Sequence, residues 1–197
     1  GGGHCPDLPI DYYYGDPGYC NPWGVRYQGS IRIQAASPTL RRNEVRYGSG
    51  HALSVDINSE PKTEGNALSQ NTLNGMEVRG GQIVTVQPIT RTWTNTDVVY
   101  MPSDHLTYGI DVTLVIGPGV IVKPAKNKII GIEGSIKVLG TEEFPVYFTS
   151  VKDDSIGGET KKDGNKLQPA GGGWGPPYFP HSSDDGHNVV QYAIFLY

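Results

Sequence analysis

SPTLRRNEVRYGSGHALSVDINS, residues 37–59, laid over EPKTEGNALSQNTLNGMEVRGGQ, residues 60–82, puts Pro38 on Pro61 and Asn43 on Asn66. The same alignment puts Val45 on Leu68, Leu53 on Met76 and Val55 on Val78, at an offset of 23 residues. Short apolar pairs between Gly, Asn and Pro turns, repeating in the low twenties, are the pattern of a solenoid that makes one coil per repeat. No such coil can bury its own apolar pair, so the neighbours above and below must complete the core.

The second half behaves similarly at an offset of 22: Ile110 aligns with Ile132, Leu114 with Ile136 and Ile116 with Val138. Leu114/Ile116, Val120/Val122, Ile136/Val138 and Val146/Phe148 each place two apolar residues two apart, as a short strand with one buried face requires. Gly117-Pro118-Gly119, Gly134 and Gly140 fall where the chain must turn. Asn43 above Asn66 predicts an amide ladder at a turn, with sugar binding as the competing role for these two side chains.

Composition agrees. The 197 residues include 27 Gly and 15 Pro, about a fifth of the chain, and 17 Val and 15 Ile outnumber 10 Leu, 7 Ala and 2 Met. Strong helix formers are scarce, which excludes a helical bundle, a coiled coil or a doubly wound α/β fold. The longest apolar runs, residues 112–116 and 119–122, are too short for a membrane-spanning helix. A net charge of −4 disfavours general nucleic-acid binding.

Four domain segments follow: a Pro/Tyr-rich cap at residues 1–24, coils with the 23-residue repeat at 25–82, a seam at 83–107 covered by Trp93 and Tyr100, and further coils at 108–197. A polar excursion at 151–173 interrupts the last segment. In the cap, Cys5 and Cys20 enclose a stretch without regular patterning and read as a disulfide staple, which favours an oxidising compartment. The competing use of both cysteines with His4 as metal ligands lacks a CxxC spacing. No basic and apolar leader precedes His4, and the strand-like residues 189–197 stop abruptly. The expectation is a fragment of a longer secreted protein, or a processed piece that stacks on a neighbour.

TLVIGPGVIVK at 113–123, GIEGSIKVLGT at 131–141 and EEFPVYFTS at 142–150 resemble successive coils of right-handed parallel β-helices, the pectin-lyase-like repeat regions of bacterial secreted and surface proteins. GGWG at 172–175 resembles the turn that opens the next coil, although Pro176-Pro177 follow where an apolar strand is expected. Residues 38–43 and 64–78 resemble the same superfamily, so the likeness covers roughly residues 25–197. Lys137 and Lys152 fit only if they face outward. The resemblance implies an all-β right-handed solenoid on an extracellular or cell-surface protein. Its implied role is structural or adhesive; a polysaccharide lyase or glycoside hydrolase is the alternative.

Related surface proteins carry an acidic glycine-rich loop where the excursion falls, and the resemblance implies a Ca2+ site from Asp153, Asp154, Glu159, Asp163 and Asn165. Lys161 and Lys162 weaken the acidic spacing, and a solvated excursion is the simpler expectation. Asn95-Thr96-Asp97 and Asp153-Asp154 echo the acidic motifs of the polygalacturonase branch, but they lie more than two coils apart and assign no catalytic residue. The arginines Arg26, Arg32, Arg41, Arg42 and Arg46 have no acidic partner set suited to a lyase and read as an outer face. Ser182–His187 lacks a nucleophile elbow and reads as a polar loop. Tyr12, Tyr13, Tyr14 and Trp23, and separately Trp174 and Tyr178, are candidate platforms for sugar rings; otherwise they cap or cover coils. The expected partners are the rest of a parent chain or copies stacked end to end, and a polysaccharide.

Overall fold

The computed structural model describes residues 19–20, 26–27, 29–162, 164 and 168–197. These residues form a parallel β-solenoid, and among them there is no helix. One long sheet runs its whole length through seven strands: Ile31–Ile33, His51–Val55, Leu73–Val78, Tyr100–Pro102, Ile121–Val122, Val146–Phe148 and Ala193–Phe195. Each strand pairs in parallel with the next pass of the chain.

The other faces change partway along. The first two coils complete their circuits with Thr39–Arg41 under Lys62–Glu64 and with Glu44–Arg46 under Ala67–Ser69. From the third coil onward, two four-stranded sheets take over. One comprises Gly81–Ile83, Leu106–Tyr108, Ile130–Ile132 and Pro177–Tyr178; the other comprises Ile89–Trp93, Val112–Ile116, Ser135–Leu139 and Val189–Gln191. The region 83–107 is thus a change of cross-section crossed by an unbroken sheet.

The repeat alignment sets the register. Val45 pairs with Leu68, Leu53 with Met76, Val55 with Val78, Leu114 with Ile136 and Ile116 with Val138. Ile110 departs from it: Tyr108 pairs with Ile132, while Ile110 is 71% exposed at a corner. The offset is 24 between Leu106–Tyr108 and Ile130–Ile132 but 22 between Thr113 and Ser135, because the corner after Ile132 is two residues shorter. Gly134 occupies that tight corner, where a Cβ would collide with the carbonyl oxygens of Val112, Gly109 and Ile110 in the coil beneath. Two stacked corners of the first two coils repeat their backbone: Arg42 and Gly65 adopt positive φ at 52° and 63°, and Tyr47 and Gln70 at 61° and 57°, each pair 23 residues apart.

Inward residues form aliphatic columns. Leu114, Ile116, Val120, Val122, Ile132, Ile136, Val138, Val146 and Phe148 are all buried. Trp93 and Tyr100 belong to this core, stacked with centroids 4.9 Å apart, rather than covering the seam from outside. Lys137 lies between buried Ile136 and Val138 and is only partly buried, and Lys152 is exposed, as outward-facing positions require.

Of the cap segment, the structure describes only Tyr19–Cys20, paired antiparallel with Arg26–Tyr27 just beyond it. Cys5, and with it the proposed Cys5–Cys20 staple, lies outside the described residues, as do Tyr12, Tyr13, Tyr14 and Trp23.

Candidate functional site

Four of the side chains singled out in the sequence, Asn43, Asn66, Asn95 and Asp97, hold coils together. Asn43 donates through Nδ2 to Asn66 Oδ1 at 2.8 Å, so the expected ladder forms. Asn66 in turn donates to Leu40 O and to Asp97 Oδ2. Asn95 accepts from Thr63 N at 2.9 Å and donates to Pro61 O at 2.9 Å. The other Asp97 oxygen accepts from the Thr63 hydroxyl. Glu60 completes the join by accepting from the Thr92 amide and hydroxyl and pairing with Arg91 at 3.3 Å. Asn95-Thr96-Asp97 is therefore a splice that gives the second coil's free edge the partners that a strand would otherwise supply. Burial raises the Tyr100 phenol to about 12, against the hydrogen bonds its oxygen accepts from Asn95.

The excursion is less solvated than expected in its first part. Residues 151–162 fold back across the outer face of the long sheet, over Leu73, Val99, Met101 and Ile121. Asn74 donates to Thr160 O and Glu159 O, and Leu73 bridges Lys161. Beneath this strap lies Lys123, a buried lysine that no motif or period in the sequence marks. Its Nζ donates to Asp153 O at 2.7 Å, Thr160 Oγ1 at 2.9 Å and Gly158 O at 3.4 Å. Burial lowers its pKa to about 8, opposed by the charges of Asp153 and Asp154. The only signal was a lone lysine ending an apolar strand.

Asp153 is buried. Its carboxylate accepts from Thr149 Oγ1 at 2.7 Å and from the amide and hydroxyl of Ser155. Burial pushes that carboxyl upward, but the Ser155 and Thr149 hydrogen bonds outweigh it and hold the group below its usual range. Glu159 turns to the Gly164 amide, and Asp163 and Asn165 lie outside the described residues. Among the described residues no three His, Cys, Asp or Glu side chains converge as metal ligands. The strap thus buries two charged groups, the Lys123 ammonium and the Asp153 carboxylate.

A second buried polar group lies on the outer face of the long sheet in the second and third coils. Ser54 donates to Glu77 Oε2 at 2.6 Å, and Arg79 donates to Ser54 Oγ and to Ile33 O. His51 Nδ1 is 3.8 Å from Glu77 Oε2. Burial holds the His51 imidazole down at about 4. At the polar loop, Asp184 pairs with His187 at 2.7 Å, while Ser183 Oγ accepts from Asn188 instead of His187.

Trp174 is turned inward. Its Nε1 donates to Leu196 O at 2.7 Å, and its ring lies beside Phe148 and Phe195. Tyr178 and Phe179 next to it are exposed. They adjoin the last coil described. Val190 stands over Val138 and Phe195 over Phe148, with the two phenyl rings 4.9 Å apart. Both continue core columns, yet each is 50% exposed. Val189, Tyr192, Ile194 and Tyr197 extend the exposed apolar surface.

No protein-family model matches the chain, and comparison with curated proteins and with solved structures finds no match.

Proposed function

We propose that the chain is a structural or adhesive segment of a larger secreted or cell-surface bacterial protein, a stiff solenoid whose work is done by its length and surfaces. The observation that carries this reading is how its acids are used. Glu60, Asp97 and Asp153 each engage both carboxylate oxygens in hydrogen bonds or ion pairs that join coils or hold the strap. A glycosidase instead needs two carboxyl groups facing one another across a substrate. Polysaccharide is the adhesive ligand best suited to the exposed rings of Tyr178 and Phe179.

The test is a polysaccharide panel assayed for binding and for turnover, with calcium and then with chelator. Binding or inertness without cleavage is expected, unchanged by chelator. Cleavage of any polymer would overturn the structural role and favour a lyase or hydrolase; calcium-dependent cleavage would direct attention to Asp153 and Asp154.

A further inference from the structure

We propose that Asn74 is a site of one-way covalent modification, shielded from deamidation by the strap and, once deamidated, no longer able to hold the strap. In the long sheet Ala52 stands opposite two residues, Asn74 and Gly75, because the register moves from His51–Leu73 to Leu53–Met76. A bulge of this kind re-aims a side chain. Here it brings Asn74 against the strap: its N–H donates to Thr160 O at 2.7 Å and its Nδ2 to Glu159 O at 3.1 Å. Its Oδ1 accepts from the Asn71 amide at 2.9 Å and from Asn71 Nδ2 at 3.1 Å. Asn71 bonds in turn to Gly48 N and Val45 O, so a chain of amides runs from the first coil to the strap.

Packing requires glycine at 75, since a Cβ there would collide with the Met101 thioether and press on Val99 O. The consequence is an asparagine followed by glycine, the pairing in which no side chain hinders the backbone nitrogen. In deamidation the Gly75 nitrogen attacks Asn74 Cγ, the side-chain nitrogen leaves as ammonia with the proton that Gly75 gives up, and a succinimide ring closes. Water then opens the ring at either carbonyl and leaves aspartate or isoaspartate at position 74. Ring closure needs Asn74 to turn. In the closed molecule its amide N–H and both side-chain polar atoms are held, two of the three by the strap. Lifting the strap frees the backbone and Nδ2 together. The reverse step is blocked by the product, because a carboxylate donates no hydrogen bond and sets a negative acceptor against Glu159 O. Isoaspartate also lengthens the backbone by one carbon beside the bulge.

Peptide mass spectrometry of the full chain, incubated at mildly alkaline pH, tests this through the mass gain at residue 74. The parent should convert more slowly than the same chain unfolded in urea, by about tenfold or more. Lys123→Met removes the three bonds that Nζ gives the strap and should close most of that gap with the circular dichroism unchanged. Should that variant not fold, Ser155→Ala, which loosens Asp153 within the strap, is read in the same way. Asn74→Asp should speed hydrogen exchange at the amides of residues 74 and 162, which bond across the strap, by about tenfold, and leave Leu114 and Ile116 unchanged. Conversion in the parent as fast as in urea, protection untouched in a folded strap variant, or an Asn74→Asp chain that exchanges like the parent would each overturn the proposal.

Discussion

The first two coils and the last three share one sheet and one apolar core, but the first two add more side-chain hydrogen bonds from coil to coil. In the first two, polar side chains reach from coil to coil, Asn43 to Asn66 and Asn71 to the amide of Gly48 and the carbonyl of Val45, and Ser54 reaches on to Glu77 of the third. In the last three, aliphatic columns such as Leu114 under Ile136 and Ile116 under Val138 dominate the stacking, with fewer polar links such as Thr113 to Ser135. A polar ladder fixes spacing and register, since a hydrogen bond tolerates little displacement, but each bond adds only about 1 kcal/mol net. An aliphatic column contributes more per residue and is less particular about shape. Where the two cross-sections meet, the chain needs geometry more than burial, and it uses Glu60, Asn95 and Asp97.

Truncating a column should have the largest effect. Leu114→Ala removes a fully buried side chain flanked by coils on both sides, and about 3–5 kcal/mol should be lost in denaturant unfolding. A loss under about 1 kcal/mol would mean that the columns are not what holds the second half.

Acid should act on the first half. His51, beside Glu77 and within reach of the Ser54–Arg79 bonds, is held at about 4 against an ordinary value of 6.5. Its folded pKa lies below its unfolded one, so its contribution is fully present above about pH 6.5. As pH falls toward 4 the unfolded chain takes up the proton first, and on the order of 3 kcal/mol is lost. Thermal melts of the parent and of His51→Asn across this window should converge at low pH; parallel curves would remove His51 from the account.

The splice should be the most modest of the three. Asn95→Ala leaves the Thr63 amide and the Pro61 carbonyl without their partner, at a cost of about 1–3 kcal/mol. Hydrogen exchange should rise at residues 61–66 before it rises in the columns. Uniform loosening throughout would show that the join is not a separable element.

Inward residues were legible in the sequence because their spacing by two and their β-branched character follow from the strand itself. Val55 over Val78 and Leu114 over Ile136 needed nothing else. Ile110 was misplaced because corner lengths vary while the alignment held one offset: two residues given up after Ile132 are invisible to hydrophobic periodicity. The Asn43–Asn66 ladder could be read from the repeat, but its continuation to Asp97, 31 residues on, follows no period. The strap was hidden for the same reason. Asn74 and Glu159 meet across 85 residues, and nothing local to either announces it.

A stack in which each coil touches only its neighbours behaves as a one-dimensional chain and frays from an exposed end, one coil at a time. The strap changes that order. It leaves the chain after Val146–Phe148 and binds at residues 72–74, with Lys123 clasped between. Fraying that reaches the coils after Val146–Phe148 therefore meets a latch before it reaches the fourth, and the coils under the strap must come apart together or not at all. Pulled along its axis, the molecule should yield in one large step across this stretch, as a splinted rod breaks, and not in a series of small ones.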